Sequence, residues 1–325
     1  MLDFNFLFCV VSILCISLLC GESSHMNKCV ESERKALLKI KDALIHGRDK
    51  RFTSWRGEEC CKWEGISCDN FTSYVTRLDL NDFGLTGKLD SSICELRHLT
   101  SLSLQENQLG GKIPNCIGSF SHLIELNLHG NELVGVVPPS LGNLSNLQTL
   151  DLGLNSYLSV NDFEWLSHLS NLRQLDLTMV ILSLVVDWLS SISKISSLSE
   201  LHLSDCRLHN ITLKSIPHLN SSISLKSLDL RGNNLNSSIL PWIISVSKTL
   251  TDLDISYNSL QQSIPYEFGN MIFLQHLDLS YNELQGSIPK SFNSMCQLKE
   301  LYLNSNKLSG QLSDNIQNYV VQIII

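Results

Sequence analysis

The chain has 325 residues, a formal net charge of −8, and charged side chains at only 17% of positions. That acidic balance argues against a nucleic-acid partner, because phosphate backbones are gripped by clustered Lys and Arg. Eleven cysteines make the redox compartment the first question to settle.

Residues Phe4 to Leu19 are almost all apolar and end at Cys20-Gly21-Glu22-Ser23-Ser24, which reads as a secretory signal peptide over 1–24. The usual positive leader is missing, since Asp3 is the only charge before the run. An uncleaved anchor is the alternative, and it would need about 20 apolar residues. Export places the rest of the chain where disulfides persist. Five glycosylation sequons, at Asn70, Asn143, Asn210, Asn220 and Asn236, fit the same compartment. Occupied ones must lie off the ligand face or at its edge.

Residues 25–74 form a separate unit. Ala36, Leu37, Ile40, Ala43 and Leu44 make one apolar helical stripe, with Gly47 placed to end it. Around the helix lie Cys29, Cys60, Cys61 and Cys68, together with Trp55 and Trp63. Four cysteines in an exported chain read as two disulfides, and spacing alone leaves three pairings open. A zinc site built from all four thiolates is the competing reading; adjacent thiolates and an oxidising compartment oppose it.

From Val75 to Leu312 one sentence of residues repeats ten times. Its template is L-x-x-L-x-L-x-x-N-x-L, as in Leu250-Thr-Asp-Leu253-Asp-Ile255-Ser-Tyr-Asn258-Ser-Leu260. The marker residues are Val75, Leu99, Leu123, Leu147, Leu172, Leu198, Leu225, Leu250, Leu274 and Leu298, separated by 24 to 27 residues. Such a period is the signature of a leucine-rich-repeat solenoid. In each copy the alternating leucines point one face of a short strand inward. One strand buries little alone, so the copies fold as an array, and residues 25–74 must cap its open first turn. An Asn column at 107, 131, 155, 233, 258, 282 and 306 can donate to and accept from the adjacent turn. Cys206 stands in it once, while Phe83 and Val180 break it, so the ladder is expected to be weakest at those two turns. Cys94, Cys116, Cys206 and Cys296 occupy no equivalent positions and read as free buried thiols.

Several copies continue as L-x-G-x-I-P, for example Leu109-Gly-Gly-Lys-Ile113-Pro114 and Leu284-Gln-Gly-Ser-Ile288-Pro289, with a variant at Leu260-Gln-Gln-Ser-Ile264-Pro265. This wording resembles the plant-specific class of extracellular leucine-rich repeats, whose I-P arm makes a second short sheet. The resemblance implies an α/β horseshoe with a parallel sheet on the concave face and short strands and 3-10 turns behind. Cys29…Trp55…Cys60-Cys61-Lys-Trp63-Glu-Gly65-Ile-Ser-Cys68 resembles the N-terminal cap of plant receptors and inhibitors of this class, which implies Cys29 with Cys60 and Cys61 with Cys68. In copies four to seven the arm is replaced by Trp-Leu segments such as Glu164-Trp165-Leu166 and Asp187-Trp188-Leu189, which read as larger side chains filling a wider outer arm. Glu164-Trp-Leu-Ser-His-Leu-Ser-Asn-Leu172 and Leu198-Ser-Glu-Leu-His-Leu-Ser-Asp-Cys206 resemble one group, the receptor-like proteins typified by fungal-xylanase receptors and disease-resistance-like proteins. That group implies a longer repeat array, a membrane helix and a short tail without a kinase. Here residues 313–325 read as an irregular tail that ends without cap cysteines, its last six residues far short of a span. The reading is of a truncated receptor whose apolar end could add a strand and, through its open edge, self-associate.

No phosphate loop, G-x-S-x-G or H-E-x-x-H occurs, so no catalytic residue, cofactor or metal is assigned. Asp79, Asp151, Asp176, Asp229, Asp254 and Asp278 should line the concave face, either as a site for cationic or hydroxyl-rich ligands or simply as solvated strand residues. Recognition is expected from exposed strand and turn positions, among them Glu106, His129, Arg173, His202, Arg231, Tyr257, His276, Tyr281 and Tyr302. Tyr257, Tyr281 and Tyr302 gather toward the C-terminal copies, and exposed aromatics favour binding. The expected role is extracellular recognition of a peptide, protein or glycan, with a co-receptor kinase as further partner. It would operate in the apoplast, and at the plasma membrane in full-length relatives. A secreted inhibitor resembling the polygalacturonase-inhibiting proteins is the rival reading.

Overall fold

A computed structural model describes residues 29–45, 51–210, 223–310 and 322–324. The signal peptide, Gly47, Asn220 and most of the tail lie outside the described residues. The marker residues, from Val75 to Leu298, are at most 2% exposed, so the apolar spine of the template faces inward along the whole array. Each copy contributes a short strand whose inward leucine is buried, such as Leu102, Leu126 and Leu277. Each such leucine contributes roughly 1.5 to 3 kcal/mol when fully buried.

The strands stack in register into one sheet of twelve, parallel throughout except at its first edge. There Ile66–Cys68 runs antiparallel to Val75–Asp79 and belongs to the cap. At the other end Gln322–Ile324 pairs parallel with Glu300–Tyr302. A second sheet lies on the opposite side, formed by Thr86–Lys88, Gln108–Gly111, Glu132–Val136 and Tyr157–Ser159. It thins to a single bridge from Ser159 to Ile181 and, among the described residues, resumes as the pair Gln285–Ser287 and Lys307–Ser309. Between these pieces the outer arm is filled by the 3-10 turn Glu164–His168 and by two helices, Trp188–Ile192 and Leu240–Val246. Trp188 and Trp242 from those helices are buried edge to face, 6.0 Å apart. None of the described helices is long and apolar enough to cross a membrane.

The cap helix α1 spans Glu31–Ala43 and buries Ala36, Leu37 and Ile40. It stops sooner than its apolar stripe suggests. Leu44 is still buried but is extended, and with Ile45 it pairs antiparallel with Thr86–Lys88. Edge-strand hydrogen bonds offered by the second sheet outcompete another helical turn. Disulfides join Cys29 to Cys60 and Cys61 to Cys68, and Trp55 stacks on Trp63 at 5.2 Å. Glu33, 1% exposed, accepts the N–H of Val75 at 2.7 Å, which satisfies the first strand of the array from the cap.

The Asn column forms a ladder. Asn107 Nδ2 donates to Leu104 O and Gln105 O of its own copy and to Leu80 O of the copy before, while its Oδ1 accepts Leu85 N–H. The same set recurs at Asn131, Asn155, Asn233, Asn258, Asn282 and Asn306. Cys206 keeps part of it, its thiol facing Leu177 O at 2.9 Å. Burial pushes that thiol's pKa far up, so it stays protonated. Phe83 is packed instead under the Arg51 guanidinium at 3.7 Å and against Phe52, which ties the first copy to the cap.

Two expectations for the remaining cysteines are corrected. Cys94 and Cys116 form a disulfide, because the 3-10 turns Ser91–Glu95 and Asn115–Ser119 of successive copies lie side by side and bring positions 22 residues apart together on the diagonal. Cys206 is free and buried; Cys296 is free but exposed.

Candidate ligand-recognition surface

Three positions per copy build the concave face: the two outward residues of the strand and the turn that follows. The third strand residue is usually Asp, and it does more than dissolve the face. Its Oδ1 accepts the N–H two residues on, at 3.0 Å for Asp151, 2.8 Å for Asp176, 2.9 Å for Asp229, 2.8 Å for Asp254 and 2.8 Å for Asp278. The aspartates are thus fixed as turn formers. Burial pushes Asp151 and Asp254 above the usual carboxylate range, with neighbouring aspartates adding to the effect. At Asp176 burial is again the largest single influence, yet hydrogen bonds from His202 and Thr178 together hold it below that range.

The residue just before the Asn column adopts a left-handed backbone in every copy. Asp82, Glu106, Leu154, Met179, Asp205, Tyr257, Tyr281 and Ser305 all have φ between 52° and 63°, and glycines take the place twice. This conformation throws the side chain sideways along the array. Tyr257 and Tyr281, in successive copies, therefore stack with ring centroids 4.1 Å apart and planes 11° off parallel. Arg231, from the copy before, lays its guanidinium 4.9 Å from the Tyr257 ring. The result is an Arg-Tyr-Tyr ladder whose two rings remain 44% and 45% exposed.

Tyr302 does not join it. It sits on the strand Glu300–Tyr302, in register with the Asp column, and faces the His276 ring at 5.5 Å. His276 Nδ1 also lies 2.9 Å from Glu300 Oε2. Arg231, Tyr257 and Tyr281 thus form one group and His276, Glu300 and Tyr302 a second. Arg173 and His202 lie further toward the cap. Arg173 is exposed at the lead-in to Gln174–Asp176. His202 takes the register position of the aspartates, between Asp176 Oδ2 at 3.4 Å and Ser227 Oγ at 3.1 Å. The Asp176 hydrogen bond holds its imidazole above the ordinary histidine range. A depression of about 170 Å³ opens there, lined by Thr149, Asp151, Gln174, Asp176, Glu200 and His202. Sequence reading places His129 among the exposed recognition positions but does not reveal its partner, Asp151, whose Oδ1 lies 3.0 Å from His129 Nδ1. Of the sequons, Asn70, Asn143 and Asn210 are exposed, while Asn236 caps a 3-10 turn through Ser238.

A disulfide-locked cap on a parallel-sheet horseshoe, with a second short sheet behind, defines the class: an extracellular-type leucine-rich-repeat architecture. Family descriptions agree along the chain, with a leucine-rich repeat region matching residues 76–263, a leucine rich repeat matching 248–308, and a leucine rich repeat N-terminal domain matching 30–69. The chain belongs to the leucine-rich-repeat family, and within it is homologous to plant receptor-like proteins. It is 38% identical over 292 residues to receptor-like protein EIX1 of Solanum lycopersicum, covering 84% of this chain and 28% of that relative. The chain therefore spans little more than a quarter of that protein's length. Among solved structures it resembles the ectodomain of the Arabidopsis receptor kinase HAESA bound to an extended IDA peptide hormone. That match has 29% identity and a TM-score of 0.75, over 89% of this chain and 48% of that one. A plant ice-binding protein matches at 25% identity and a TM-score of 0.74, over 91% and 95% of the two chains.

Proposed function

We propose that this chain is the extracellular recognition part of a plant receptor-like protein, and that its ligand docks on the concave face across the Arg231-Tyr257-Tyr281 ladder and the adjoining His276-Tyr302 pair. The ligand is a peptide, protein or glycan, and the response, in defence or development, runs through a co-receptor kinase. One observation carries this reading: two tyrosines held at left-handed backbone positions stand stacked and nearly half exposed on the concave face. Aromatic area presented in this way is costly in water and favours contact with a partner. A receptor ectodomain bound to a peptide hormone among the structural relatives supports the same use of the fold.

The resemblance to fungal-xylanase receptors makes a fungal xylanase and its xylan oligosaccharide products the first probes. With a bound probe, alanine at Tyr257, Tyr281 and Tyr302 together is expected to weaken affinity at least tenfold in biolayer interferometry. Unchanged affinity would remove the site. Inhibition of a polygalacturonase by the same chain would instead favour the inhibitor reading.

A further inference from the structure

We propose that His129, Asp151 and Asp176 form a binding site for a divalent transition-metal ion on the concave face, apart from the tyrosine ladder. The three residues come from three successive copies. Each offers one donor atom, and the three atoms all lie within 4.8 Å of one another. Asp151 and Asp176 are direct register partners on adjacent strands, so two carboxylates face each other at one strand spacing, where like charges repel. His129 reaches them from the turn after the strand Glu125–Asn127. One imidazole with two carboxylates is a donor set for Zn²⁺, Co²⁺ or Mn²⁺ rather than for the oxygen-only preferences of Ca²⁺ and Mg²⁺.

Gly153 supplies an independent sign that the space is kept open. It stands one copy after His129 at the same place in the repeat. A Cβ there would lie 2.8 Å from Asp176 Oδ1 and 2.9 Å from His129 Nδ1. Its backbone is not left-handed, so the turn does not demand glycine; a side chain there would instead displace the two donor groups. The groups behind the donors also suit a metal. Glu106 Oε1 lies 3.8 Å from His129 Nε2, and His202 Nδ1 lies 3.4 Å from Asp176 Oδ2. Carboxylate and imidazole partners of this kind orient ligand side chains. A metal bound through Nδ1 would leave the imidazole proton on Nε2, on the side of the Glu106 carboxylate. Elsewhere along the Asp column the residue at the position of His129 that precedes two adjacent aspartates is Ser204 or Arg231, neither of which supplies a nitrogen donor for a metal, so among the described residues this donor set occurs once.

The test uses tag-free chain carrying Cys296→Ser, which removes the exposed thiol. Isothermal titration with Zn²⁺ should show one equivalent bound, and Co²⁺ should give a visible d–d absorption band. His129→Gln and Asp151→Asn should each weaken Zn²⁺ at least tenfold, while His276→Gln leaves it unchanged. Gly153→Ala keeps every donor but fills the space between them, and should weaken Zn²⁺ equally with unchanged circular dichroism. That variant decides the matter should His129→Gln fail to fold. No binding to the folded chain, or binding indifferent to both Gly153→Ala and His129→Gln, overturns the proposal.

Discussion

Gln262 carries a conformational cost that its neighbours in the array avoid. Gly87, Gly111, Gly135, Gly286 and Gly310 hold the left-handed bend of the return arm, with φ from 77° to 111°, and Gln262 takes the same bend at φ 71°. A side chain in that region costs about 1–2 kcal/mol, and glycine gives back part of it through its freer unfolded chain. Gln262→Gly is therefore expected to stabilise by about 0.5–1 kcal/mol, read as a higher midpoint in urea. The reciprocal Gly286→Gln, where an added Cβ meets nothing closer than Ser263 Cβ at 3.7 Å, should lose a similar amount. A destabilised Gln262→Gly or a stabilised Gly286→Gln would refute the assignment. Glu33 presents a different residue-scale cost. Burial raises its carboxyl above the ordinary value of 4.5, against the lowering effect of the Val75 N–H, and Oε1 has no hydrogen-bond partner. A raised acid pKa means that the folded state holds the proton more tightly than the unfolded one. Stability from this group is whole below about pH 4.5 and is lost as pH rises toward the folded value. Glu33→Gln removes that dependence, keeps an acceptor for Val75 N–H, and offers an N–H to His98 Nδ1, now 3.7 Å from Oε1. Thermal melts should show the variant equal to wild type near pH 4 and more stable at pH 7; a variant less stable at pH 7 would contradict the account.

Elements assemble here by rules that the sequence displays unevenly. Strand positions, the inward leucines and the Asn ladder are legible because each rests on residue types repeated at one spacing, and burial selects those types in every copy. The left-handed turn before each Asn is not legible, since Asp, Glu, Leu, Met, Tyr and Ser all occupy it and glycine marks it only at Gly130 and Gly232. Without that turn the stacking of Tyr257 on Tyr281 is invisible, and Tyr302 looks like their equal although it belongs to a strand. The same limit hid the Cys94–Cys116 bridge, because a search for equivalent positions overlooks diagonal neighbours on adjacent 3-10 turns. That bridge makes an element-scale prediction. It closes a separation of 22 residues, for which loop entropy gives roughly 3 kcal/mol. Replacing both cysteines with serine should lower unfolding stability by about 2–4 kcal/mol. Thiol titration provides the companion measurement: among the described cysteines, the native chain should expose one reactive thiol, Cys296, and denaturation should reveal Cys206 as a second. Three or four titrating thiols would mean that the bridge is absent.

For the whole array, coupling between neighbours is what stability consists of, so its weakest interface sets where the molecule opens. Beyond the twelve-stranded sheet itself, three couplings hold the first four copies together: the leucine spine, the Asn ladder and the second sheet. At Val180 only the first is intact. Leu158 N–H, whose counterparts Leu109, Leu133 and Leu284 donate to the next copy's carboxamide, bonds instead to Asn155 O in its own copy at 2.9 Å. The second sheet is reduced there to the one Ser159–Ile181 bridge. The buried tryptophans of the outer arm restore packing, and Leu177, Met179, Ile181 and Leu182 keep backbone bonds to neighbouring copies, but no carboxamide clamps this turn to the copy before. Hydrogen exchange followed by mass spectrometry should therefore find the segment 177–186 exchanging faster than its counterpart 128–137, where Asn131 and Glu132–Val136 supply both missing couplings. The metal-site residues straddle this seam, His129 and Asp151 before it and Asp176 after it, whereas the tyrosine ladder lies wholly beyond it. A ligand that spans both would slow exchange at 177–186, whereas one confined to the ladder would leave it unchanged. Equal protection of the two segments in the free chain would show that the leucine spine alone sets the coupling, and that the broken ladder carries no cost.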